Sequence, residues 1–254
     1  MEETTSSAEK LLQVLELLAL SQNAMGPTEI GKALHFNKTT IYRLLQIMSQ
    51  HGYVEKNSTG AYSIGPKLIE IASYHINNLE LQVVAKPFLS MLYAELNLAT
   101  HLGILDGAEI IYVEKMDLYP TGAGFAQVGY RTPAYCSSIG KCLLASLSGD
   151  DLDEVLYQYH FKKYTKNTIT NLYEFKNHLR QVRKQGWAMD KEEYLLGSRC
   201  IGAPIYDFQG EAIACVSVSG TSEQLSDERI PAIVEKVKYG AAMISHKMGY
   251  IEVQ

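Results

Sequence analysis

Apolar residues recur at helical spacing three times within the first fifty positions. Ser6-Ser7-Ala8-Glu9 has the form of a capping box, and the leucine-rich run from Leu11 to Leu20 predicts a first helix behind it. The stretch "SQNAMG" interrupts that pattern. Pro27 suits the first turn of a short second helix ending near Leu34, with Ile30 and Leu34 facing inward. After the brief turn "HFNK", a third helix is expected from Asn37 to Gln50. Its Ile41, Leu44, Leu45 and Met48 fall at i, i+3, i+4 and i+7, so they share one buried face. The opposite face carries Thr39, Arg43, Gln46 and Gln50, flanked by Thr40 and Tyr42. Asn37 stands where an N-cap belongs, which leaves Lys38 and the two threonines at the positive end of the helix dipole. Two helices joined by a tight turn, with a longer one before them, make a helix-turn-helix pattern.

Alternation then replaces helical spacing. Tyr53-Val54-Glu55-Lys56 and Ala61-Tyr62-Ser63-Ile64, around the turn signal Asn57-Ser58-Thr59-Gly60, predict a hairpin. A hairpin directly behind a recognition helix would be the wing of a winged helix. The alternative is a small helical bundle with a hairpin and no DNA partner; the order of elements, the threonine-rich helix start and the outward Arg43 favour DNA. Helical spacing returns in "PKLIEIASYHINN" and "LQVVAKPFLSMLYAEL", a linker helix and the first helix of a second domain, with Pro87 marking a bend or a second start. Strand-like runs "THLGILDG", "EIIYVEKMD" and "GFAQV" follow, then helices at about Ser138–Leu147, Asp151–Tyr159 and Leu172–Lys184. The strands "GWAMD", "SRCIGAPIYD" and "EAIACVSVSG" and a helix from Asp227 to Met248 close the chain. That order predicts an α+β domain around an antiparallel sheet.

Composition narrows the function classes. With 254 residues, 46% hydrophobic and 20% charged, the chain has the make-up of a soluble globular protein of one large or two smaller domains. No apolar run is long enough to span a bilayer, and the acidic, polar start "MEETTSSAEK" is the opposite of a secretory signal, so a cytoplasmic protein is expected. Cys136, Cys142, Cys200 and Cys215 form no C-x-x-C pair and are expected to be buried free thiols. The net charge of −5 argues against a generic nucleic-acid binder. Between Ala24 and Lys56, however, Lys32, Lys38, Arg43 and Lys56 outnumber Glu29 and Glu55. Such a mild excess permits DNA binding and favours a dimer.

Candidate chemistry in the second domain lies on strand faces. Cys215, Ser217 and Ser219 share one face of their strand while Val216 and Val218 share the other; Ser198, Cys200 and Gly202 likewise oppose Arg199, Ile201 and Ala203. Small polar groups on neighbouring strands suit a compact pocket for a polar ligand, with a solvent-facing sheet as the alternative. A helix beginning near Ser138 would present free backbone N–H groups and its positive dipole end to a carboxylate. Catalytic readings are weak. Ser138-Ile139-Gly140-Lys141 spells S-x-x-K, but the S-D-N and K-T-G elements that acyl transfer also needs are missing. Gly122-Ala123-Gly124 precedes no helix and makes a poor dinucleotide fingerprint. The histidines form no metal-ligand cluster, and His101, inside an apolar strand, reads as a satisfied structural residue. Trp187 reads as a packing residue. No catalytic residue, metal or cofactor is expected, and the chain is not read as an enzyme.

Taken together, "NKTTIYRLLQIMSQHGYV", "YSIGPKL", "VGYRTPAYCSSIGKCLLASL", "NTIT", "GWAMDKEEYLLGSRCIGAPIYDFQGEAIACVSVSG" and "ISHKMGY" resemble, in order, the IclR family of bacterial transcription regulators. The resemblance covers nearly the whole chain. It implies a winged helix-turn-helix DNA-binding domain over 1–65, a linker helix over 66–79 and a GAF-like effector-binding domain over 80–254. It also implies a homodimer or homotetramer on a partly palindromic double-stranded operator, with Lys38, Thr39, Thr40, Tyr42, Arg43 and Gln46 facing the DNA groove. By the same resemblance, a small effector meets Ser138, Ile139, Asp190, Cys200, Ser217 and Ser219. Pocket polarity points to a hydroxylated or keto carboxylic acid. Tyr135-Cys136-Ser137 resembles the branch that answers sugar acids such as ketodeoxygluconate. Two departures from the family pattern stand out: Leu98-Ala99-Thr100 in place of a Gly-Glu-Thr run, and Cys136-Ser137-Ser138-Ile139 in place of smaller residues before Gly140-Lys141. The alternative is a sensory or enzymatic module whose winged-helix domain no longer reads DNA.

Overall fold

A computed structural model of the protein describes residues 6–21, 23–71, 80–117 and 127–251. The chain divides into two compact units, Met1–Leu79 and Glu80–Gln254.

In the first unit, α1 (Ser7–Leu20), α2 (Pro27–Leu34) and α3 (Lys38–Gln50) follow one another as the apolar spacing predicts. Ser6 and Glu9 form the expected reciprocal capping box of α1. The turn between α2 and α3 is made by His35 in the left-handed region, φ 56°. Gly31 allows that turn to close, because a Cβ there would lie 2.9 Å from the Phe36 carbonyl oxygen. Ile41, Leu44, Leu45 and Met48 are buried against Val14, Leu18 and Ile30. The predicted hairpin is present as β1 (Val54–Lys56) and β2 (Tyr62–Ile64), antiparallel, with Val54 opposite Ile64. Asn57 Oδ1 holds its turn by accepting from the backbone N–H groups of Thr59 and Ala61. Residues 67–71 are helical, and the rest of the expected linker helix, 72–79, lies outside the described residues.

The second unit is a six-stranded antiparallel sheet, among the described residues, with helices on both faces. Its strands are β3 (Ala99–Asp106), β4 (Glu109–Met116), β5 (Arg131–Pro133), β6 (Ala188–Lys191), β7 (Ser198–Tyr206) and β8 (Ala212–Thr221), in the spatial order β5-β4-β3-β8-β7-β6. Helices α4 (Glu80–Leu96) and α8 (Ile230–Lys247) cover one face, where Leu102, Ile201, Ala203, Val216 and Val218 meet Leu89, Leu92, Val237 and Ile244. Helix α5 (Ser138–Ser146) covers the other and α7 (Leu172–Gln185) packs against α5, with α6 (Gly149–Val155) between them in sequence. Trp187 packs against the α4–α8 core, as expected of it.

Three expectations change. Helix α4 runs through Pro87 without a second start. Proline removes the bond to the carbonyl of Val83, on a part of the helix where Val83 is 67% exposed. The strand expected at 124–128 falls mostly outside the described residues, whereas β5 forms from Arg131-Thr132-Pro133, which carries no alternation to detect. The helix expected at Asp151–Tyr159 instead begins at Gly149, capped by Ser148, and ends at Val155.

Candidate functional site

The first candidate surface is the outer face of α3. Asn37 caps the helix, its Oδ1 accepting from Thr40 N–H at 2.8 Å. Thr40 is half-buried, while Lys38, Thr39, Tyr42, Arg43 and Gln46 are exposed on one continuous face. Lys38 Nζ lies 5.7 Å from the Tyr42 ring centroid, and Arg43 donates to Ser7 Oγ of α1 at 3.3 Å. A groove between α3 and the hairpin is lined by Tyr42, Gln46, Ser49, Gln50, Lys56 and Tyr62. The six residues expected to face DNA therefore sit together, with donors and two cations, Lys38 and Arg43, on a helix beside a hairpin.

The second is a pocket between α5 and the sheet of the second unit. Strand pairing brings its parts into rows. Asp190 lies opposite Cys200, and Cys200 opposite Ser219; in the next row His101 lies opposite Ser217, and Ser217 opposite Gly202. Because side chains alternate, all of these project from the face that α5 covers. Helix α5 comes close to the sheet over glycines: a Cβ on Gly202 would meet Cys215 Sγ at 3.0 Å and Ser138 at 3.3 Å. At Gly140 a Cβ would lie 2.3 Å from the Ala134 backbone, which holds the helix start against the 3-10 turn Ala134–Cys136. Ser137 caps α5 by accepting from Gly140 N–H at 3.0 Å. The amides of Ser138 and Ile139 have no intrahelical partner at this position. The pocket encloses a cavity of about 50 Å³, and its walls include Ser138, Asp190, Cys200, Ser217 and Ser219.

Five of the six expected effector residues thus line one space. Ile139 does not: its side chain is 1% exposed and packs into the apolar cluster with Ile110 and Cys215. Only its backbone N–H remains as a contribution. The serines do not face solvent, since Ser217 and Ser219 are 3% and 7% exposed. Three of the cysteines are buried free thiols as expected, whereas Cys200 is half-buried in the pocket wall.

Electrostatics sets the character of the pocket. Burial pushes the Asp190 carboxyl up to about 7, opposed by nearby Lys141 and by the Glu193 N–H that donates to Asp190 Oδ1 at 2.7 Å. Lys141 is fully buried, ion-paired to Glu193 and donating to the Met189 carbonyl. It is a structural cation that ties α5 to the segment after β6, not a nucleophile's partner. Burial also pushes the Cys136 and Cys200 thiols up, with Asp190 adding to both, so neither is a thiolate at neutral pH.

His101 is the residue that sequence reasoning misread. It lines the pocket, and its Nε2 is buried without a hydrogen-bond partner. Burial lowers its pKa to about 4, with the Lys115 charge acting in the same direction. Thr132 and Tyr194 also line the space and were not anticipated. Their segments are far apart in the chain, and no periodicity links them.

A winged helix-turn-helix joined to a domain with a buried polar pocket defines a class: DNA-binding regulators that sense a small molecule. The "IclR helix-turn-helix domain" model matches residues 7–58, and "Bacterial transcriptional regulator IclR C-terminal" matches residues 74–246. The chain belongs to the IclR family of bacterial transcriptional regulators. It is 33% identical to the HTH-type transcriptional regulator KdgR of Escherichia coli K12 over 98% of this chain and 94% of that one. To the regulator XynR of the same organism it is 31% identical, over 96% and 97%. The crystal structure of Thermotoga maritima IclR superposes with a TM-score of 0.84 at 28% identity, covering 96% of this chain and 99% of that one. The relatives are transcriptional regulators, and the chain is a DNA-binding regulator with an effector-binding domain rather than an enzyme. Among the described residues, no helix is long and apolar enough to cross a membrane.

Proposed function

We propose that operator binding by this regulator is set by a small carboxylic acid held in the pocket under α5. The observation that carries this reading is convergence: Ser138, the first residue of α5, lines the same space as Asp190, Cys200, Ser217 and Ser219. The carboxylate sits at the amides of Ser138 and Ile139, where the helix dipole favours an anion. Ser217 and Ser219 then serve ligand oxygens as donors or acceptors, and Asp190 accepts from ligand hydroxyls. The similarity of Tyr135-Cys136-Ser137 to the sugar-acid branch, together with the identity to KdgR, supports a sugar acid.

On the DNA side, Lys38, Thr39, Thr40, Tyr42, Arg43 and Gln46 contact the operator, with the positive end of α3 toward phosphate. The reading takes 1–65 as the DNA-binding domain, 66–79 as linker and 80–254 as effector domain, working in the cytoplasm. A few cations per copy give a weak single contact, so a dimer or tetramer on a partly palindromic operator supplies the affinity. Effector binding shifts the populations of assemblies that span the two half-sites and those that do not. The test is fluorescence anisotropy on DNA from upstream of the protein's own gene, at several salt concentrations, with sugar acids and keto acids added in turn. Saturable, competitor-resistant binding that one acid strengthens or releases is the expected result. Weak binding that is equal on unrelated DNA and untouched by every acid would reject the reading.

A further inference from the structure

Among the buried side-chain atoms of the described residues that lack a hydrogen-bond partner, two, His101 Nε2 and Ser219 Oγ, belong to the pocket wall. Such atoms are rare because each forgoes its bonds to water without replacement. Here the two share one sheet face, since β3 and β8 pair with Ala99 opposite Ser219 and His101 opposite Ser217. The imidazole is not free to turn away. It stands edge-on to the Tyr112 ring, centroids 5.3 Å apart at 61°, and is 3% exposed. It is also uncharged at neutral pH, because burial and Lys115 both disfavour the imidazolium. A neutral imidazole offers no ion pair to a carboxylate, so the anionic end of a ligand has its better place at the amides of α5.

We infer that His101 is a specificity-determining residue of the effector pocket, its Nε2 hydrogen-bonding a hydroxyl of the ligand alongside Ser219 Oγ. The inference rests on the pocket reading above and adds what the pocket demands at its second end. A hydroxyl both donates and accepts, so it complements either imidazole tautomer and the serine hydroxyl at once. A methyl or methylene in the same place leaves both wall atoms buried and unpaired. Pockets built around a ligand hydroxyl discriminate strongly against the analogue that lacks it, for that reason. The pocket therefore selects hydroxy acids over their deoxy counterparts.

Isothermal titration of the full chain with matched acids tests this: lactate, glycerate and gluconate against propionate and hexanoate. Wild type is expected to prefer the hydroxy acids by about tenfold or more, the worth of one or two buried neutral hydrogen bonds. His101→Phe keeps a ring against Tyr112 and is expected to lower hydroxy-acid affinity about tenfold while leaving the deoxy acids unchanged. His101→Gln, whose amide reaches toward the Nε2 position, is expected to restore part of the preference. Ser219→Ala deletes the other unpartnered atom and makes the same prediction without touching the ring. A wild type that binds both kinds of acid equally, or a folded His101→Phe and Ser219→Ala that keep the full preference, overturns the inference and leaves the pocket reading standing. A wild type that binds none of the acids overturns the pocket reading, and this inference with it.

Discussion

The outer face of α3 and the pocket under α5 are assembled in opposite ways. Every residue of the first comes from one stretch of thirteen, Lys38–Gln50, and the helix alone puts them on one side. The second is gathered from β3, the start of α5, β6, β7 and β8, and exists only once the strands have paired. The first surface is exposed and tolerates change, since its buried counterpart of Ile41, Leu44, Leu45 and Met48 holds the fold. The second is buried, so each of its polar groups must find a partner or leave a cost that a ligand relieves.

The largest break in that comparison is expected at Lys141. Lys141→Met strands Glu193 in the interior without its counter-charge and should destabilise the effector unit by about 3–5 kcal/mol. Urea melts followed by probes in each unit should show that loss confined to the second one. Adding Glu193→Gln should recover a large part of it.

Next comes the pH dependence, where two buried groups of the pocket oppose each other. Asp190 is raised from 3.8 to about 7, so the folded state holds its proton longer and stability falls as pH rises through that window. His101 is lowered from 6.5 to about 4, so the unfolded state binds the extra proton and stability rises with pH over the same range. Between about pH 4 and 6.5 the two slopes cancel. Relative to wild type, Asp190→Asn should therefore gain stability with rising pH, by about 1.4 kcal/mol per unit, and His101→Phe should lose it at a similar rate. Parallel urea midpoints for all three proteins across that range would contradict the burial of these groups as ionisable pocket residues.

Three further substitutions act more gently. Arg43→Ala should weaken operator binding by about 1–3 kcal/mol while leaving acid binding in the second unit unchanged. Ser217→Val should do the reverse, reducing the response to the acid with free-state DNA affinity intact. Asn37→Ala, which removes the cap that fixes Thr40, should cost the first unit about 1 kcal/mol in a thermal melt.

What was legible in the sequence follows the same division. The α3 face, the hairpin and the apolar sides of β7 and β8 could be read because period 3.6 and period 2 are local signals. Strand alternation even placed Cys200, Ser217 and Ser219 on the pocket side. His101 could not be read correctly, because its need for a partner depends on the pairing of β3 with β8 and on the lid that α5 makes. The inward turn of the Ile139 side chain escaped notice for a related reason: a helix start can offer its amide to a ligand while the side chain follows the helix's apolar face. Three-residue β5, which contains Pro133, lies below what alternation can reveal.

The central claim is that these two differently built surfaces are thermodynamically linked. Calorimetric titration of the active acid into the protein, free and saturated with operator DNA, tests it most directly. Linkage requires the acid's affinity to change with DNA by the same factor, and in the same direction, as operator affinity changes with the acid. Equal acid affinities for the free and the operator-saturated protein would show that the two surfaces are not linked and would contradict the account.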